Sequence, residues 1–241
     1  MKYTITIASL IATAGLASAA TLFTSGFENN TGANVEAGNV TNGTGNATLT
    51  ITDWSTDASV TAISNLTAVL NNAGGFGQTQ GGTGAFASDD VAFIAQNHNT
   101  GVDADRVKGY SFTFTVDASW SLDSLTVLSA HTNNVGGQNQ SFTSDLVYSI
   151  SGGTLGSPLT ETSTEVYGVL PAYHTVAFTG LASNTIGAGT YTVQVTQENF
   201  SGGGAYASFD GVTLEATAVP EPSSAALLGL GGLALIMRRR K

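Results

Sequence analysis

From Tyr110 to Val116 the chain alternates strictly, with Tyr110, Phe112, Phe114 and Val116 on one side and Ser111, Thr113 and Thr115 on the other. That is the period of a strand with one buried and one wet face. Weaker versions of the pattern recur at 47–52, 90–96, 124–130, 145–151, 175–179, 190–197 and 205–215, each rich in Thr and Val and bounded by Gly, Asn or Ser. Between the two chain ends no stretch combines a cap, a sustained 3.6-residue apolar stripe and good helix formers; residues 58–71 form the one weak helix candidate. Many short strands with Gly-rich connections predict an all-β protein, an antiparallel jelly-roll β-sandwich. Two stretches, 29–45 and 71–84, are almost wholly Asn, Thr, Gly, Ala and Gln. They carry too little apolar side chain to order themselves and are read as long rim loops; the alternative for the second is a ligand loop presenting Phe76.

The ends follow a different pattern. Met1-Lys2-Tyr3 is a basic start, Ile5 to Leu16 is mostly apolar, and Ala17-Ser18-Ala19 has the small-x-small form of a signal-peptidase site, the organisation of a secretory signal peptide. At the other end Val219-Pro220-Glu221-Pro222 precedes an apolar run of 15 residues, Ser223 to Met237, and then Arg238, Arg239, Arg240 and Lys241. As a helix that run spans ~22 Å, short of the ~30 Å hydrocarbon core. Gly229, Gly231 and Gly232 leave bare backbone against which another helix can pack. The four cations stay cytoplasmic by the positive-inside rule, so everything before Pro220 lies outside the inner membrane. The expected division is a signal peptide at 1–19, one β-sandwich domain at 20–218, and a tail at 219–241.

The order Pro-Glu-Pro, short hydrophobic stretch, basic cluster resembles the PEP-CTERM sorting signal of Gram-negative bacteria. The resemblance covers the tail alone. It implies an exosortase-like membrane protease as partner and a transient membrane association through the C-terminal helix. It also implies an inner-membrane intermediate, followed by residence at the cell surface or in the extracellular matrix. A plain single-pass anchor is the simpler alternative for the same residues.

Charge sharpens the picture once the ends are set aside. Of the 7 Lys and Arg, five lie in the terminal segments, which leaves Arg106 and Lys108 against 17 Asp and Glu. Phosphate binding needs clustered cations, so nucleic acid is excluded as a partner. Charged residues make up 10% of the chain, so Thr, Ser, Asn and Gly must carry much of its solubility. Cysteine is absent. That excludes thiol catalysis and Cys-based metal sites, and a disulfide-free exported domain must be held by burial.

The chemistry on offer is sparse. Residues 22–29 (Leu-Phe-Thr-Ser-Gly-Phe-Glu-Asn) and 207–215 (Ala-Ser-Phe-Asp-Gly-Val-Thr-Leu-Glu) resemble the first and last strands of galactose-binding-like jelly rolls, among them carbohydrate-binding modules. The resemblance implies that Glu28 and Asp210 are candidate ligands of a structural calcium, with Gly211 where the pattern usually has Asp or Asn. Calcium takes about six to eight oxygens, so carbonyls, amides or water would complete the set; otherwise both carboxylates simply cap strand ends. Sugar binding needs an exposed aromatic face flanked by amides or carboxylates. Trp54 and Trp120 are the foremost candidates, followed by Tyr167 and Tyr173, and a core or rim plug is the alternative for each. His98, His131 and His174 are scattered, with no metal-protease or nucleophile-elbow motif around them. The chain reads as a non-enzymatic exported protein, structural or adhesive, with possible extracellular polysaccharide binding. The alternative is a secreted polysaccharide-active hydrolase.

Overall fold

In the computed structural model the described residues are 19–27, 48–70, 93–96, 107–131, 142–168, 172–201 and 206–220. They form strands and turns with no helix among them. The strands are β1 (Ala19–Ser25), β2 (Thr48–Leu49), β3 (Ser55–Thr56), β4 (Val60–Ile63), β5 (Leu66–Leu70), β6 (Phe93–Gln96) and β7 (Val107–Val116). They continue as β8 (Trp120–His131), β9 (Phe142–Gly152), β10 (Leu159–Tyr167), β11 (Ala172–Phe178), β12 (Thr185–Ile186), β13 (Gly189–Ser201) and β14 (Tyr206–Ala218).

One sheet runs β11-β8-β14-β1-β3, with β12 also on β8 and β6 also on β14; the other runs β10-β9-β13-β7-β5-β2, with β4 also on β7. Every pairing is antiparallel. From β7 onward the chain changes sheet between β7 and β8, β8 and β9, β10 and β11, β12 and β13, and again between β13 and β14. That winding makes the sandwich a jelly roll.

The alternation in β7 does what its period predicts. Tyr110, Phe112, Phe114 and Val116 are all buried, and the opposite sheet meets them with Leu22, Phe23, Leu122, Leu125, Val127, Phe209, Val212 and Leu214. The rings interlock edge to face: Phe23 on Phe112 at 5.4 Å, Phe27 on Tyr110 at 5.2 Å, and Phe209 on Tyr110 at 5.2 Å. Each such side chain contributes about 1.5–3 kcal/mol of burial plus a smaller aromatic term. With no cysteine in the chain, this burial is the main counterweight to backbone entropy.

Two elements depart from the sequence expectation. Residues 58–71, the weak helix candidate, hold β4 and β5, both paired to β7. Val60, Thr61, Ile63, Thr67 and Val69 are β-branched, and the unpaired flank of β7 offers them a ladder. β10 has no counterpart among the expected strands. Its inward positions are Leu159, Glu161, Ser163, Glu165 and Tyr167, too polar to register as an apolar alternation.

The two ends of the sandwich are unlike. At one end β1 begins and β14 finishes side by side, Ala19 opposite Thr217, beside the short turns after β7, β9 and β11. Tyr191 fastens this end: its Oη donates to the Gly187 carbonyl (2.8 Å) and accepts from the Thr154 amide (3.1 Å). Gly153 lies at φ 51°, where an added Cβ would enter the Tyr191 ring. The strand directions place the departures after 27, 70, 96, 131, 168 and 201 at the opposite end. The expected rim loops 29–45 and 71–84, with Phe76, lie outside the described residues.

Candidate functional site

The exit of β14 is the first feature with functional consequence. Its last residues are held on both sides: Ala216, Thr217 and Ala218 pair with Leu122, Ser121 and Trp120, while Ala19 and Ala20 of β1 pair with Thr217 and Ala216. The Thr217 hydroxyl donates to Asp123 Oδ2 at 2.8 Å, and the Val219 amide donates to the Ser119 carbonyl at 3.0 Å. The turn that receives Val219 is itself braced, because the Asp117 amide donates to the Ser59 carbonyl and Trp120 Nε1–H donates to Ser59 Oγ, both at 3.0 Å. Pro220 is exposed. Glu221, Pro222, the apolar run and Arg238, Arg239, Arg240 and Lys241 lie outside the described residues, as does the expected signal peptide up to Ser18. Among the described residues no helix is long and apolar enough to cross a membrane.

A second feature is a polar seam on the side of the sandwich where β10 and β11 are the sheet edges. Glu161 accepts from the Gly180 amide at 2.7 Å. Glu165 accepts from Ser163 Oγ at 2.6 Å and lies 2.9 Å from His174 Nδ1. The His174 ring rests on Tyr167, centroids 4.3 Å apart. Deeper in, Gln197 Nε2 donates to Tyr167 Oη at 2.6 Å, and Ser129 Oγ lies 2.7 Å from the same oxygen. Ser129, Tyr167 and Gln197 are all buried. Burial pushes the Tyr167 hydroxyl up to about 12, helped by the Glu165 charge and opposed by its hydrogen bonds. The cluster ties β8 and β11 of one sheet to β10 and β13 of the other.

The aromatic candidates for sugar stacking are placed mostly inward. Trp120 is 4% exposed and part of the core, so it takes the plug position rather than that of a stacking platform: neither ring face is open to a ligand. Tyr167 is buried in the seam. The side chain of Tyr173 lies outside the described set. Trp54 is half-buried against the core, edge to face with Phe23 at 5.9 Å and Phe27 at 6.2 Å, and tilted on Phe112 at 5.1 Å. It closes the side of the sandwich opposite the polar seam and keeps some exposed surface.

For the calcium candidates, Glu28 lies outside the described residues, and Asp210 is described by its backbone alone. That backbone is the bulge of β14, between Phe209 opposite Ser129 and Gly211 opposite Leu128. Beside it β1 comes close: a Cβ on Gly211 would lie 2.9 Å from the Ser25 carbonyl oxygen. Close approach of two backbones therefore accounts for glycine at 211. Among the described residues no three His, Asp or Glu side chains gather as a metal site. The carboxylate that shapes this corner is Asp53, which sequence reasoning did not single out. Its Oδ1 accepts from Ser25 Oγ at 2.6 Å and its Oδ2 from the Gly26 amide at 2.8 Å, just before Phe27 at φ 59°.

The outer face of the β10-β9-β13-β7-β5 sheet carries neutral hydrogen-bonding groups in register. Thr160, Ser149, Gln194, Ser111 and Thr67 form one row across five strands. Ser151, Thr192 and Thr113 form the next, and Thr190 and Thr115 a third, with their hydroxyls 2.8 Å apart. Adjacent strands set such groups roughly 4.8 Å apart.

Comparison with known proteins adds one assignment. A family model described as the PEP-CTERM protein-sorting motif matches residues 218–241. No curated protein matches the chain. Among solved structures, the chain is similar to the carbohydrate-binding module TmCBM61, solved in complex with β-1,4-galactotriose. The TM-score is 0.27 at 10% identity over 44% of this chain and 63% of that one, a likeness too slight to carry an argument. A PEP-CTERM signal implies export and a membrane-associated sorting step by an exosortase toward the cell surface. The chain ends in a PEP-CTERM protein-sorting motif whose first residue, Ala218, is the last residue of β14.

Proposed function

We propose that this is a non-enzymatic exported domain which an exosortase-like protease delivers to the cell surface or extracellular matrix. There it acts as a structural or adhesive element that binds polysaccharide weakly. The observation that carries the reading is the opposition of the two ends of the sandwich. The sorting motif leaves from the short-turn end with no spacer, so the opposite end and both broad sheet faces point away from the attachment. The rows of Thr, Ser and Gln on one face offer neutral donors and acceptors suited to hydroxyl-rich polymers, and weak binding follows from the scarcity of open aromatic surface among the described residues. Calcium belongs to the proposal at the β14 bulge, with Glu28 and Asp210 as ligands.

The test uses the protein recovered from its native host. Affinity electrophoresis in gels cast with the host's own extracellular polysaccharide, together with a reducing-sugar assay, is expected to show retardation without sugar release. Release of reducing ends would replace the reading with that of a polysaccharide-active hydrolase. Neither retardation nor release would leave an inert coat protein.

A further inference from the structure

We propose that the short-turn end of the sandwich is a docking face for the membrane sorting protease, which takes this substrate as a folded domain and reads the tail from Val219 onward. The inference rests on the sorting reading of the tail. Its basis is the missing spacer: the motif begins at Ala218, a residue still paired with Trp120, and the next amide, that of Val219, is bonded to the Ser119 carbonyl. From Val219 to Ser223, where the apolar run begins, the chain reaches about 17 Å at full extension. Any enzyme acting on Pro220-Glu221-Pro222 therefore works against the turns at 57–59 and 117–119.

Those turns are built as a surface. Ala58, Asp117, Ala218 and Pro220 are exposed, and Val219 is 38% exposed, one of two large apolar side chains on the surface of the described residues. The turns are rigid because Asp57, through its amide on the Leu22 carbonyl, and Ser59, through Asp117 and Trp120, are tied into the fold. The face carries Asp117 and Asp57, and the one Lys or Arg among the described residues, Lys108, is the second residue of β7, at the far end. An anionic face is repelled by anionic lipid headgroups, so the occupant is the protease and not the lipid surface. Charge complementarity gives that protease cationic groups opposite Asp117.

The experiment is pulse-chase processing of the full-length chain in its native host, read by intact mass. It compares Ala58→Arg and Asp117→Lys on the face, Thr162→Lys on the exposed side of β10, and a flexible insertion of about eight Gly and Ser residues between Ala218 and Val219. The two face variants are expected to slow processing about five- to tenfold at unchanged melting temperature, while Thr162→Lys processes at the wild-type rate. The insertion is expected to slow processing as well, since it uncouples the face from the motif. Face variants that process normally, or an insertion that accelerates cleavage, would overturn the proposal, because the domain would then be an obstacle and not a docking partner. Replacing Pro220-Glu221-Pro222 by alanines separates the two readings: normal processing of that variant removes the sorting reading itself. A block there, with indifferent face variants, removes docking alone.

Discussion

Removing one oxygen at Tyr167 should produce a stability defect that disappears at high pH. At neutral pH, Tyr167→Phe takes from Gln197 Nε2 and Ser129 Oγ, both buried, the partner they hold at 2.6 and 2.7 Å and leaves them their weak 3.5 Å contact with each other. Orphaning buried donors of this kind costs about 1–3 kcal/mol, so about 2 kcal/mol is expected. Alkali acts on the wild type in a way that the variant escapes. The Tyr167 hydroxyl titrates at 10.0 in the unfolded chain and at about 12 in the folded one, so the folded state holds its proton where the unfolded state releases it. The stability contributed by the neutral hydroxyl is complete below pH 10 and is lost as pH rises toward 12. By pH 11 the wild type forfeits on the order of 1 kcal/mol through this group, and above pH 12 roughly twice that. Burial also raises Tyr110 and Tyr148, but these ionise alike in both proteins and cancel in the difference. Urea unfolding followed by tryptophan fluorescence from pH 8 to pH 11.5 should therefore show the two midpoints converging. Parallel curves, separated equally at every pH, would refute the account of the cluster.

Tyr191→Phe removes the hydroxyl that joins Thr154 to Gly187 and should cost about 1–2 kcal/mol. For a domain of this size that is a drop of roughly 2–8 °C in melting temperature by calorimetry, with the fold retained. If calcium bridges Glu28 and Asp210, chelation lowers the melting temperature of the wild type and leaves Asp210→Ala unmoved; a wild-type melt indifferent to chelator removes the site. Replacing Glu161 and Glu165 together by valine should leave β10 in place but promote association, seen as a concentration-dependent shift in light scattering, whereas a strictly monomeric variant would show that the two acids do not guard the edge.

The parts of the fold legible in the sequence were those whose information is local. β7 announces itself because Tyr110, Phe112, Phe114 and Val116 all meet the opposite sheet, and the tail is legible because a linear motif is read as a linear string. β10 was not legible. Its inward side chains satisfy themselves through the Gly180 amide and His174, partners 19 and 9 residues away that no periodicity reveals. The 58–71 segment misled because Ala, Leu and Asn populate both states, and the flank of β7 decided the outcome. For the candidate site, Trp120 illustrates the limit: a Trp beside Asp and Ser reads as surface, yet its indole nitrogen needs just one partner, Ser59, for the ring to be buried. Asp53 went unnoticed since its role depends on Ser25 and Gly26 arriving from another strand.

The polar seam and the sorting tail answer related demands. A protein sorted to the cell surface is held at high local density, where the free edge of a nine-residue strand such as β10 is a template for pairing with another copy. A core of apolar side chains running to that edge would make such pairing favourable. Here the three central inward positions of β10 are Glu161, Ser163 and Glu165, and a slip in register by one residue would drive Thr160, Thr162 and Thr164 inward while exposing Tyr167. Each acid is already satisfied within its own sandwich, Glu161 by Gly180 and Glu165 by Ser163 and His174. Their presence therefore costs little in the folded monomer and much in any edge-paired dimer that displaces those partners. The opposite flank is closed by bulk: Trp54 fills the gap between the sheets there. One flank is thus closed by aromatic packing and the other by charge. The β14 exit offers an exposed apolar residue, Val219, directly before the motif that a membrane enzyme must reach.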